Sequence, residues 1–97
     1  MFAADDSAQA IGIFEALKKA NRTDIIVVAA GNSKAGMDAV KAGDCKAITY
    51  QTTEGDGAAA MRTAALFFAG AKIEPVTYLP KHIITQSDVD QFMPAQW

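Results

Sequence analysis

The run Asp24-Ile25-Ile26-Val27-Val28-Ala29-Ala30 constrains this chain more than any other stretch. Its β-branched and apolar residues do not alternate with polar ones, which is the pattern of a strand buried on both faces of a parallel sheet. Gly31-Asn32 stops the strand. Ser33 caps a helix in which Met37, Ala39 and Val40 face inward, and Gly43 closes that helix.

The remaining sequence alternates in the same way. Ile11, Phe14, Leu17 and Ala20 recur at helical spacing behind Asp6 or Ser7 as N-cap, which predicts an amphipathic helix over 7–20, with Lys18, Lys19 and Arg22 at its C-terminal dipole end. Residues 46–51 form a second short strand. Thr53 opens a third helix with Asp56 near its start, and this helix runs through Met61, Ala64, Ala65 and Phe68 to a Gly70 terminator. Residues 72–79, with Ile73, Val76 and Tyr78, read as extended, and Pro75 demotes them to an edge. Pro80 forces a turn, residues 82–84 extend briefly, and Ser87-Asp88-Val89-Asp90 caps a terminal helix over 85–92 that Pro94 ends. Met1 to Ala4 is apolar enough to be the first strand. Alternation of strand and helix predicts one α/β domain over residues 1–97, a parallel sheet with flanking helices and right-handed crossovers. The sequence opens on its first strand with no preceding turn, as a piece cut from something longer does.

Ninety-seven residues, 51% of them hydrophobic and 21% charged, suit a folding chain with one core. A formal charge of -2 and nine scattered Lys and Arg leave no basic surplus, so no nucleic acid and no anionic membrane surface is expected as a partner. The single cysteine, Cys45, cannot form an internal disulfide. Apolar stretches such as 64–70 fall far short of the roughly 20 residues that span a bilayer. The first six residues have neither a basic n-region nor an apolar h-region, so the chain is expected to carry no secretory signal of its own.

In open α/β sheets, ligands bind beyond the carboxyl ends of the strands. Three consecutive strand ends here carry compact polar groups: Asp5-Asp6, Gly31-Asn32-Ser33 and Gln51-Thr52-Thr53. Carboxylates, amides and hydroxyls without His, Cys or Lys suit neutral hydroxyls, and a few such groups specify a polyol at roughly 1 kcal/mol net per hydrogen bond. The candidate ligand-binding residues are therefore Asp6, Asn32 and Gln51. The plainer reading makes Asp6 and Ser33 ordinary caps and Gln51 a solvated loop residue. Elsewhere, His82 has no second histidine or cysteine to complete a metal site and reads as a surface or loop histidine. Cys45 reads as a small buried hydrophobe, and Phe67-Phe68 as core. No Gly-x-Ser-x-Gly elbow occurs, and Gly55-Asp56-Gly57 lacks the Gly-Lys-Ser or Gly-Lys-Thr of a phosphate loop. Trp97 is able to stack on a sugar but reads as a frayed end. No catalytic residue, metal ligand or cofactor is expected.

Ala4-Asp5-Asp6-Ser7-Ala8-Gln9-Ala10-Ile11-Gly12 resembles the Asn-Asp-x-Met-Ala-x-Gly motif of type I periplasmic sugar-binding proteins, the solute receptors of ABC transporters for ribose, galactose and related sugars. Residues 26–32 are similar to that family's Val-Val-Gly-Phe-Asp-Gly strand end, Met37-Asp38-Ala39-Val40-Lys41-Ala42-Gly43 to its Ala-Ile-Lys-Ala-Gly helix end, and Ile48-Thr49-Tyr50-Gln51 to its Thr-Val-Ala-Gln strand. Ile83-Ile84-Thr85-Gln86-Ser87-Asp88-Val89 looks like the closing Leu-Ile-Thr-x-x-Asn-Val. The resemblance covers nearly the whole chain in order. It implies the C-terminal third of such a protein, a flavodoxin-like partial lobe with sugar-contacting groups at the positions of Asp6 and Gln51. The family's asparagine is Asp6 here, and its second-motif aspartate falls on Gly31, beside Asn32.

The resemblance further implies a non-enzymatic receptor, a membrane permease as partner of the full-length protein, and a periplasmic or extracellular setting. It places chain crossings between lobes near Gln51 and again around Ile73 to Val76, with the helix from Thr53 to Gly70 on the absent lobe. Met61, Leu66, Phe67 and Phe68 then need a new cover, and a sheet edge is expected at Met1 to Ala4 or Asp24 to Ala30, so a homodimer is expected. Two rival readings stand beside it: a small flavodoxin-like nucleotide-binding or enzymatic domain using the same rim, for which only Asp5 and Asp6 offer an acid or base, and an assembly module without ligand.

Overall fold

A computed structural model describes residues 1–95, so Trp97 lies outside the described residues. The chain divides into two units, Met1–Tyr50 with His82–Trp97, and Gln51–Lys81.

The first unit is a four-stranded sheet in the order β1 (Phe2–Ala3), β2 (Val28–Ala29), β3 (Ala47–Thr49), β4 (Ile83–Thr85). Two helices, α1 (Ala8–Lys19) and α2 (Lys34–Ala42), connect the first three strands, which are parallel. The fourth departs from the all-parallel expectation, because β4 runs antiparallel to β3, Thr49 opposite Ile83. Its direction follows from its entry point. The chain leaves the carboxyl end of β3 at Tyr50 and rejoins the sheet at the same end, where the Tyr50 N–H donates to the His82 carbonyl at 2.9 Å, so the returning strand must run back. The second crossing therefore falls at Lys81–His82 and not at 73–76. The extended segment 72–79 joins no strand among the described residues.

One row of side chains carries the core. Ala3, Ala29, Ile48 and Ile84 lie opposite one another across the four strands and are all buried, packed with Ala10 and Phe14 of α1, Met37 and Val40 of α2, Val89 and Cys45. Alternate residues point to the other face, where Phe2 and Ile83 are 65% and 56% exposed. Within the run 24–30, Val27 and Ala29 are buried while Ile26 is 64% exposed, so the strand expected to be buried twice is covered once. Cys45 is the buried small group expected of it; burial pushes its thiol pKa up.

The ends of α2 follow the sequence. The Ser33 hydroxyl accepts from the Gly36 N–H at 3.2 Å, and Gly43 closes the helix at φ 86°, a left-handed conformation that glycine adopts without steric cost. The terminal helix expected over 85–92 is only a 3-10 turn, Val89–Phe92. The Asp88 side chain spends both oxygens elsewhere, on Thr85 and His82, and no side-chain cap is left for a longer helix.

The second unit holds α3 (Thr53–Phe68), whose first turn has Glu54 and Asp56 near the positive dipole end and whose cap, the Thr52 hydroxyl, accepts from the Gly55 N–H. None of residues 51–81 is buried. Phe67 and Phe68 stack edge to face at 5.6 Å yet are 60% and 85% exposed, so they are not core, and no residue of α3 is buried. No helix among the described residues is long and apolar enough to cross a membrane.

Candidate ligand-binding rim

The carboxyl ends of β1 and β2 bring Asp5, Asp6, Asn32 and Ser33 together, with the two acids doing opposite jobs. Asp5 serves α1: its Oδ1 accepts from the backbone N–H of Ser7 at 3.0 Å and of Ala8 at 2.7 Å, and from the Ser7 hydroxyl at 2.8 Å. The Ser7 hydroxyl bond, with the backbone donors behind it, lowers the Asp5 pKa. The capping expected of Asp6 or Ser7 thus belongs to Asp5, and Ser7 makes no side-chain cap bond.

Asp6 turns inward instead. At 1% exposure, its Oδ2 accepts from the Ser33 N–H at 2.7 Å and the Ser33 hydroxyl at 3.0 Å, tying the β1–α1 loop to the start of α2. Gly36 makes the approach possible, because a Cβ there would overlap the Asp6 carboxyl group. The other oxygen, Oδ1, is buried without a hydrogen-bond partner. Asn32 lies on the same loop as Ser33 and is 2% exposed. Gln51 belongs to the second unit and is exposed.

A hollow of about 350 Å³ lies at the opposite rim of the sheet unit, between Leu17, Ile25, Arg22 and the Lys18–Asp44 ion pair. Its charges are spoken for, since Lys18 holds Asp44 at 2.6 Å and Arg22 holds Asp24 at 2.7 Å. Among the described residues, no three His, Cys, Asp or Glu side chains are placed to hold a metal ion.

One cluster escaped the sequence reading. His82 Nε2 lies 2.8 Å from Asp88 Oδ2, and the imidazole and the Tyr50 ring both pack on Phe92, with centroids at 4.9 and 5.2 Å. The imidazole lowers the Asp88 pKa to about 2, with the Thr85 N–H adding to the effect. His82 and Asp88 flank a β-branched triplet, the one signal that places them at neighbouring ends of a short strand.

The sequence matches no protein-family model and no curated protein. Solved structures do match. An ABC sugar transporter subunit from Rhodobacter sphaeroides is 28% identical, with a TM-score of 0.73 over 89% of this chain and 31% of its own. An ABC transporter solute-binding protein from Bacillus halodurans with bound myo-inositol is 25% identical, with a TM-score of 0.70 over 86% of this chain and 29% of its own. A periplasmic solute-binding protein from Actinobacillus succinogenes with bound D-allose is 22% identical, with a TM-score of 0.78 over 93% and 32%.

The chain has the fold of part of a type I periplasmic binding protein. It spans about a third of the length of the sugar-binding proteins it matches. Its α/β architecture, with a sheet flanked by helices, is the partial lobe that the motif resemblance implied, apart from the direction of β4.

Proposed function

We propose that this chain supplies part of a sugar- or polyol-binding site in an ABC-transporter solute receptor, with Asp6, Asn32 and Gln51 as its hydroxyl-reading groups. The observation that carries this reading is Asp6 Oδ1, a buried acceptor without a donor at the carboxyl rim of the parallel strands. A sugar hydroxyl is a donor of the kind it lacks. Access requires the β1–α1 and β2–α2 loops to part, which carries Asn32 outward with Ser33. Neighbours of the same fold hold D-allose and myo-inositol, both polyhydroxylated rings.

The reading is non-enzymatic. Asp5 is committed to α1, and the one imidazole is committed to Asp88, while the Ser87 hydroxyl bonds Thr85 rather than that imidazole. In the same reading residues 1–97 act as one truncated domain, the setting is periplasmic or extracellular, and the partner of the complete receptor is a membrane permease. The exposed Phe2, Ile26 and Ile83, and the exposed Met61, Phe67 and Phe68 of α3, support a homodimer, for which light scattering at micromolar concentration reads about twice 10.2 kDa. A cooperatively folded monomer removes that partner.

Calorimetric titration with pentoses, hexoses and polyols tests the site. Asp6→Ala and Gln51→Ala are each expected to weaken binding by about 1–3 kcal/mol, because each leaves a polar partner unpaired. Binding unchanged in both variants removes the rim, and no binding by the parent chain at millimolar sugar leaves the assembly module as the reading.

A further inference from the structure

Tyr50 and His82 are the last and first residues of the sheet unit on either side of the excursion 51–81. They lie one pair beyond the β3–β4 ladder, a position where strand ends fray. Here they are held three times over. The Tyr50 N–H donates to the His82 carbonyl at 2.9 Å, and both rings pack on Phe92, tilted by 48° and 34°.

The floor beneath them is itself fixed. Phe92 belongs to the 3-10 turn Val89–Phe92, whose Val89 is 1% exposed in the core and whose Asp90 binds Lys41 of α2 at 2.6 Å. Gln86, just before that turn, donates to the Lys41 carbonyl at 3.0 Å. Asp88 joins the parts: Oδ1 accepts from the Thr85 N–H at the end of β4 at 2.7 Å, while Oδ2 takes the His82 imidazole that precedes β4. One carboxylate thus brackets the whole of β4.

We infer that Phe92 and the His82–Asp88 pair are positioning residues that anchor both roots of the excursion and so fix the point from which Gln51 leaves the sheet. The assignment rests on Gln51 as a hydroxyl-reading group. Gln51 follows Tyr50 directly, so a frayed Tyr50 releases the backbone from which that amide is presented. The cluster acts on ligand affinity through Tyr50, without touching the sugar.

His82 is the only histidine in the sequence, so its ring protons report the cluster without ambiguity. Nuclear magnetic resonance on the full chain gives two readouts: amide exchange at Tyr50 and Ala30, and the ring-current shift of the His82 protons beside Phe92. Phe92→Ala and His82→Ala are expected to speed Tyr50 exchange about tenfold while leaving Ala30, which donates to Ala3 across β1–β2, unchanged. Phe92→Ala abolishes the ring-current shift, and Phe92→Tyr restores both readouts. His82→Ala, at a side chain 47% exposed, keeps the test open where Phe92→Ala fails to fold. Unchanged Tyr50 exchange, or equal acceleration at Ala30, overturns the anchor. Sugar affinity unchanged in a variant whose Tyr50 is released overturns the positioning role. A parent chain that binds no sugar overturns the rim reading, and the exchange data still decide the anchor.

Discussion

Gly36→Ala is expected to lower the melting temperature by about 10–20 °C, a loss of about 3 kcal/mol in a domain of this size. Two effects oppose each other at this position. Alanine is the better helix former by about 1 kcal/mol, and α2 gains that. Against it, the new Cβ would sit 2.6 Å from Asp6 Cγ and 2.8 Å from Asp6 Cβ, closer than carbon atoms pack. The carboxyl group cannot swing aside cheaply, because it is buried and bonded to both the N–H and the hydroxyl of Ser33. Moving it strands those donors in the interior, where leaving buried hydrogen-bonding groups unpaired costs more than the helix gains. Gly12→Ala is the matched control in α1, where a Cβ meets nothing within 4 Å; there the propensity acts alone, and the melting temperature is expected to rise. Thermal denaturation followed by circular dichroism separates the two, and a rise for Gly36→Ala would show that Asp6 does not lock the loop as described.

The sequence made α1, α2, α3 and the first three strands legible because each is specified locally. Apolar spacing sets the helices, Ser33 and Gly43 bound α2, and Thr52-Thr53 starts α3. What it missed is decided by distant contacts. Asp5 and Asp6 are adjacent and chemically alike, and only the arrival of α2, with a glycine at 36, determines which of them caps α1 and which turns inward. The antiparallel β4 depends on where the chain returns after 31 residues outside the sheet unit, and its triplet Ile83-Ile84-Thr85 carries no mark of direction. The terminal helix failed for a similar reason, since Asp88, within the stretch expected to cap it, is drawn to His82 and Thr85. Phe67-Phe68 reads as core because apolar pairs are usually covered, but coverage depends on what packs opposite, and both rings stay exposed.

The same logic sets the second large effect. Ile48→Ala is expected to destabilise the chain by about 3–5 kcal/mol, whereas Ile26→Ala costs well under half of that. Both residues are isoleucines in apolar strand sequence, and periodicity does not distinguish them. Ile48 sits at the centre of the buried row, between Ala29 of β2 and Ile84 of β4, at 1% exposure and beneath α2. Its β2 neighbour in the row, like Ala3 beyond it, is too small to collapse into the space left behind, so most of the cavity persists and the cost lies in the upper part of the range for such truncations. Ile26 is 64% exposed on the uncovered face, so little of its surface is lost to water on folding and little is forfeited when it is cut back. Domains of this length are held by only about 0.05–0.15 kcal/mol per residue, so Ile48→Ala is expected to remove a large share of the chain's total stability. Urea denaturation of the two variants decides the matter, and equal midpoint shifts would mean that the face carrying Phe2, Ile26 and Ile83 is covered in solution as thoroughly as the one carrying Ile48.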